Sequence, residues 1–144
     1  MSSATSARIR EAVEALPLKA GMRVLEIGCG PGVAAREIVR RWPGVYVLGI
    51  DRSPTAVAQA IAGSQQAIAA GQLAFRAVAA EDFALLPDEA RFHLAFGLRV
   101  GALDGRHPKA GAIALPRIRA ALVLGGRLFI DGGSPLREIA LTAA

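Results

Sequence analysis

At 144 residues the chain has room for one domain with a buried core, taken here as 1–144, and none for a second. Hydrophobic residues make up 53% and charged residues 20%, which excludes a disordered chain, and no apolar run reaches the roughly 20 residues a membrane span requires. The net charge of +5 lies wholly in the last third, where residues 91–144 hold eight basic and three acidic side chains, but these are scattered among few aromatics and read as a solvated surface rather than a nucleic-acid face.

The N-terminus, "MSSATSARIREAVEAL", carries charges where a signal peptide needs an apolar block, so it reads as a cytoplasmic start with a short amphipathic helix. The single cysteine, Cys29, excludes an intrachain disulfide and a multi-cysteine metal site, and no metal is expected. Five strand-like runs follow in order: "MRVLEIG" (22–28), "VYVLGI" (45–50), "LAFRAV" (73–78), "FHLAFG" (92–97) and "GRLFIDG" (126–132). Each is short, rich in Val, Ile, Leu and Phe, and bounded by Gly, Pro or Asp. Helical patterns separate them. "GVAAREIVRRW" places Val33, Ile38 and Trp42 on one side and stops at Pro43–Gly44. "SPTAVAQAIAGSQQAIAAG" opens with Ser53 as N-cap and Pro54 at the first helical position, and is expected to run to Gly71. The segment 108–124 is helical in pattern but carries Pro116, which predicts a kink or a restart.

Near-continuously apolar strands alternating with helices describe an α/β fold: a doubly wound, mostly parallel sheet covered on both faces. Such sheets bind ligands at the carboxyl ends of their strands, where strand order reverses. The motif after the first strand, "EIGCGPG", is the place to look. A phosphate-binding loop needs Lys-Ser or Lys-Thr, which is absent, and a dinucleotide fingerprint needs a third glycine where Val33 stands. What remains is an acid, Glu26, followed by the alternating Gly28, Gly30 and Gly32.

"VLEIGCGPG" resembles the first motif of the class I S-adenosylmethionine-dependent methyltransferases. The resemblance implies a Rossmann-like sheet of strand order 3-2-1-4-5 and S-adenosylmethionine as cofactor, with S-adenosylhomocysteine as product. The chemistry agrees: glycines let the backbone approach a ligand, a helix start favours its carboxylate, and Glu26 suits its ammonium. The alternative for Glu26 is a surface or capping role. Asp51 ends the second strand roughly 20 residues further on, where an acid accepts ribose hydroxyls of any adenosine cofactor. Arg52 beside it is either a support for adenine or an exposed arginine. The family's acid after the third strand is replaced by Ala79, leaving adenine to groups near Ala80 and Glu81, with Asp82 as a substitute acceptor. Glu81 and Asp82 fit equally as first-turn helix acids. Cys29 lacks a neighbouring base and reads as a small buried filler offering its backbone N–H.

Acceptor contacts are expected in the loop after the fourth strand, "GLRVGALDGRHPKAG" (97–111), which starts at Gly97, itself expected to bind the cofactor, and supplies Arg99, Asp104, Arg106 and His107. His107 can accept a proton at neutral pH, and Arg99 or Arg106 can hold an anionic group. The plain alternative makes Asp104–Gly105 a turn and His107–Pro108 a helix start. The run "GLRV" lacks the [DNS]-P-P-aromatic motif of DNA amino-methyltransferases, so a small molecule or a protein side chain is the expected acceptor. The family continues past its fifth strand with a helix and hairpin, and this chain is expected to lack that hairpin. An apolar fifth strand at the edge would then pair with a second copy, so a homodimer through that edge or its neighbouring helices is expected. The rival reading is a non-catalytic S-adenosylmethionine-binding module or a subunit of a larger assembly.

Overall fold

The computed structural model describes residues 5–141. Helix α1 (Ala7–Ala15) leads into strand β1 (Arg23–Ile27), helix α2 (Val33–Arg41) and strand β2 (Tyr46–Asp51). Helices α3 (Pro54–Ala62) and α4 (Gln65–Ala69) precede strand β3 (Leu73–Ala77) and a single 3₁₀ turn at Ala80–Asp82. Strand β4 (Phe92–Gly97), helices α5 (Gly101–Asp104) and α6 (Pro108–Ala121), and strands β5 (Leu122–Asp131) and β6 (Leu136–Ile139) complete the chain.

The strands form one sheet in the order β3-β2-β1-β4-β5-β6. The first five are parallel, with Leu25 facing Leu48 across β1–β2 and Ala95 across β1–β4. Period-two alternation sends Leu25, Ile27, Leu48 and Ile50 to one face, where they pack with Phe83, Phe92, Ile118 and Leu128. Val24, Val47, Leu94 and Phe96 go to the other, against Val13, Ala35 and Ile38 of α1 and α2. Burial of both faces explains why the central strands β1, β2 and β4 read as apolar runs.

The expected absence of a C-terminal hairpin is wrong. β6 pairs antiparallel with β5, Asp131 facing Leu136 and Leu128 facing Ile139. The connection is the short run Gly132-Gly133-Ser134-Pro135, and Gly132 takes a left-handed φ of +100° that reverses the chain. The tail "LREI" spaces its two apolar residues three apart, which suits one helical turn as well as a strand. β6 therefore covers β5 along Leu128–Asp131, and over that stretch the geometric reason for a dimer through its edge is gone. The new edge, β6, is four residues long and presents exposed Arg137 and Glu138, which discourages pairing with another strand.

Two helices also depart from expectation. The segment 53–71 breaks at Gly63, where α3 ends, and resumes as α4 after the buried Ser64. α6 runs unbroken through Pro116. The carbonyl that Pro116 leaves without a partner belongs to Ala112, on the exposed face where water can bond it.

Candidate functional site

The strand order reverses between β1 and β4, and a cleft of about 380 Å³ opens there at the carboxyl ends of the strands. Ile27 and Gly28 form its floor, Ile50, Asp51 and Arg52 one side, Val78–Glu81 the end, and Arg99–Ala102 with Arg106, His107 and Ala110 the opposite rim.

The turn after β1 is held from within. The Cys29 N–H donates to the Ile50 carbonyl at 2.9 Å, and the Gly32 N–H to the Cys29 carbonyl at 3.0 Å. Asp51 pins the turn as well: its Oδ2 accepts from the Gly30 N–H at 2.8 Å, while Oδ1 accepts from the Ser53 N–H at 2.9 Å. The expectation that Cys29 offers its N–H to a ligand is therefore corrected, since that donor is engaged. Its thiol is buried, and burial first, then Glu26 and Asp51, push its pKa far up, so it is no nucleophile.

The glycines divide by role. Gly28 lines the cleft at φ +67°, and a Cβ there would sit 2.8 Å from Val100 Cγ2. Gly32 instead lies against Phe75 and Ala60, at 3.0 and 3.1 Å for a hypothetical Cβ, so it admits neighbouring elements. Gly97 does the same for Leu103 and Val100. Replacing Gly28 with alanine should destabilise the fold by about 1–2 kcal/mol, because a side chain resists the left-handed region and must displace Val100. Urea unfolding checks this; an unchanged midpoint would contradict it.

Glu26 shares the sheet face of Val24, under α2, and is 3% exposed. Its Oε1 has no hydrogen-bond partner among the described residues. Burial, reinforced by the charge of Asp51 and partly offset by Arg36, pushes its pKa up to about 8. A buried oxygen without a donor signals a missing partner. A cationic donor presented from the cleft side would supply it, and an ammonium fits.

Arg36 escaped the sequence reading. Its Nη1 donates to the Pro31 carbonyl at 2.8 Å and to Ser64 Oγ at 3.0 Å, tying α2 to the glycine turn and to the α3–α4 junction. At the end of the cleft, Ala79, Ala80 and Glu81 are lining residues, whereas Asp82 is exposed and lies outside the lining. Arg52, 77% exposed, approaches Glu81 at 3.8 Å.

On the opposite rim the turn and helix-start geometry holds together with a cleft position. Asp104 ends α5 and His107 caps α6, with Pro108 in the first turn. His107 packs against Gly101, where any Cβ would overlap its ring, and lines the cleft. Asp104 lies outside the lining and takes Arg106 Nε at 2.9 Å; that bond holds its carboxyl below the usual range. The Arg99 N–H donates to Asp131 Oδ1 at 3.0 Å, a contact the sequence reading also missed. His93 lies apart at the other end of the sheet, its Nδ1 accepting from the Arg23 N–H at 2.9 Å.

A family model described as a methyltransferase domain matches residues 24–126. The chain belongs to the methyltransferase domain family. That stretch runs from β1 to the middle of β5 and contains every cleft-lining residue. Among curated relatives, trans-aconitate 2-methyltransferase of Mycobacterium tuberculosis (strain ATCC 25177 / H37Ra) is 44% identical over 50 residues, 35% of this chain and 19% of that one. The chain thus spans about a fifth of the length of the curated relatives it matches. Among solved structures, a SAM-dependent methyltransferase from Thiobacillus denitrificans in complex with S-adenosyl-L-homocysteine superposes with TM-score 0.68 at 24% identity, over 90% of this chain and 49% of that one. Phosphoethanolamine N-methyltransferase 2 of Haemonchus contortus, in complex with S-adenosyl-L-methionine, gives TM-score 0.69 at 25% identity, over 85% and 27%. Among the described residues, no helix is long and apolar enough to cross a membrane.

Proposed function

We propose that this methyltransferase-family domain binds S-adenosylmethionine in the cleft above β1 and β2 and transfers its methyl group to a small molecule or a protein side chain. The observation that carries the reading is the buried, unpartnered Glu26 oxygen beneath the glycine turn, which calls for a cationic group such as the ligand's ammonium. Asp51 offers the ribose hydroxyls the lone pairs its two backbone contacts leave open. Ala80 and Glu81, which line the cleft, would offer their backbone to the adenine, and Arg52 would support it. When bound, S-adenosylmethionine supplies a methyl already activated by its sulfonium.

The chain's own tasks are alignment and exclusion of water. Ile27, Val100, Ala102 and Ala110 give the cleft apolar walls, and His107 stands on the rim to take a proton from a hydroxyl or amine acceptor. Arg99, Arg106 and His107 on one rim favour an enzyme over a mere binding module, because the contacts proposed for the ammonium, ribose and adenine make no use of them. Fold alone does not decide the chemistry: a structural neighbour at 24% identity and TM-score 0.67 bears the name [4+2]-cyclase SpnF. Incubation with methyl-labelled S-adenosylmethionine and a panel of hydroxyl, amine and carboxylate acceptors tests the reading. Label transfer that falls in His107→Ala and Arg106→Ala supports it; cofactor bound with no transfer to any acceptor would leave the binding module instead.

A further inference from the structure

Among the described residues only Asp88 and Arg99 adopt a left-handed φ without being glycine, and Arg99 does so, at +57°, on the cleft rim. Such backbone persists only where the surroundings fix it. Both of its peptide groups are fixed. Its N–H donates to Asp131 Oδ1 at 3.0 Å, from the end of β5, and its carbonyl accepts from Arg106 Nη2 at 3.0 Å. Arg106 is in turn held by Asp104, through Nε at 2.9 Å and through its own backbone N–H at 3.1 Å. Three residues, Asp131, Arg106 and Asp104, thus lock one backbone position, while the Arg99 guanidinium has no ion-pair or hydrogen-bond partner among the described residues.

The neighbouring cations differ. Arg106 is committed to Asp104, and Arg52 sits near Glu81. Among the described residues one uncommitted planar fork remains in the lining, which also includes Val100, Ala102, Ala110 and His107. A guanidinium matches a carboxylate through two parallel N–H···O bonds. A dianionic phosphate fits less well, because among the described residues one guanidinium without an ion pair lines the cleft while Asp51 and Glu81 line it too.

We infer that Arg99 anchors the methyl acceptor, that the acceptor carries a carboxylate on a small carbon frame, and that Asp131 and Arg106 are positioning residues that act by holding Arg99. The inference rests on the methyl-transfer reading above and adds the substrate class to it.

The test is calorimetric titration of the chain saturated with S-adenosylhomocysteine. Succinate, trans-aconitate and benzoate are each compared with their neutral amides, and phenyl phosphate with benzoate. In the wild type at least one acid should bind tenfold or more tighter than its amide. Arg99→Ala should erase that preference, Arg99→Lys should restore part of it, and Asp131→Ala should reduce it several-fold although the guanidinium is still present. Affinity for S-adenosylhomocysteine, measured on each variant, should stay within twofold. Equal binding of acids and amides, a preference that survives Arg99→Ala, or phenyl phosphate binding tighter than benzoate would overturn the inference while leaving the cofactor site intact. Failure of the wild type to bind S-adenosylhomocysteine would overturn the reading beneath it as well.

Discussion

Glu26→Gln should make the ligand-free protein more stable than wild type at pH 8.5 while weakening its hold on S-adenosylhomocysteine. The folded chain raises the Glu26 pKa from 4.5 to about 8, chiefly by burial. Between those values the folded state keeps a proton that the unfolded state has released, so stability falls as pH rises, by about 1.4 kcal/mol per unit. Below pH 4.5 both states are protonated and there is no penalty; above pH 8 both are ionised and the full penalty, on the order of 3–5 kcal/mol, is present. Glutamine cannot ionise. Its stability should be nearly flat across this window, with a net gain on the order of 2–3 kcal/mol at pH 8.5 after the cost of orienting a buried amide. Urea unfolding from pH 5 to 9 measures both slopes. At pH 7 an ammonium-bearing ligand must draw the proton off Glu26, so binding should release protons and its heat should depend on the buffer. The variant should lose that dependence and roughly ten- to hundredfold in affinity. Identical pH slopes for wild type and variant would contradict the assignment.

Asp51→Ala should cost on the order of 1.5–3 kcal/mol of S-adenosylhomocysteine affinity, as expected for a charge-assisted pair with the ribose hydroxyls. The structure adds a second cost. Asp51 is the acceptor for the Gly30 and Ser53 N–H groups, so alanine also releases the glycine turn and the start of α3. That loss should appear without ligand as about 1–3 kcal/mol of stability. Asp51→Asn helps separate the two: the Gly30 and Ser53 N–H groups bond different carboxylate oxygens, so the single amide oxygen keeps one of these contacts in place while the charge toward the ribose is lost. Adenosine alone serves as the second ligand: its affinity should fall in parallel with that of S-adenosylhomocysteine. Unchanged affinity in both variants would mean that the adenosine end binds elsewhere.

Burial decided how much of this was legible in advance. β1, β2 and β4 are apolar because both sheet faces are covered there, so the strand positions, their parallel arrangement and the cleft at their carboxyl ends followed from pattern, whereas the strand order came from the family resemblance. The β5–β6 hairpin did not, because "LREI" is too short for period two and period 3.6 to be told apart. The division of 53–71 was hidden because Arg36, a residue of another helix, fills the space at Gly63 and Ser64. Glu26 and Asp51 stood out as acids closing apolar strands, and the same rule applied to "GRLFID" would have found Asp131. Arg99 was visible as a residue type, but its left-handed backbone depends on Asp131 and Arg106, which only the fold brings together. The glycine spacing marked a tight turn without showing that Gly32 serves packing and Gly28 the cleft.

The most direct measurement is titration of the purified chain with S-adenosylhomocysteine and, separately, with NAD, followed by calorimetry at pH 7. Saturable one-site binding of S-adenosylhomocysteine, at least a hundredfold tighter than any binding of NAD, is the result these residues predict. NAD binding as tightly, or no heat from S-adenosylhomocysteine at millimolar concentration, would contradict it.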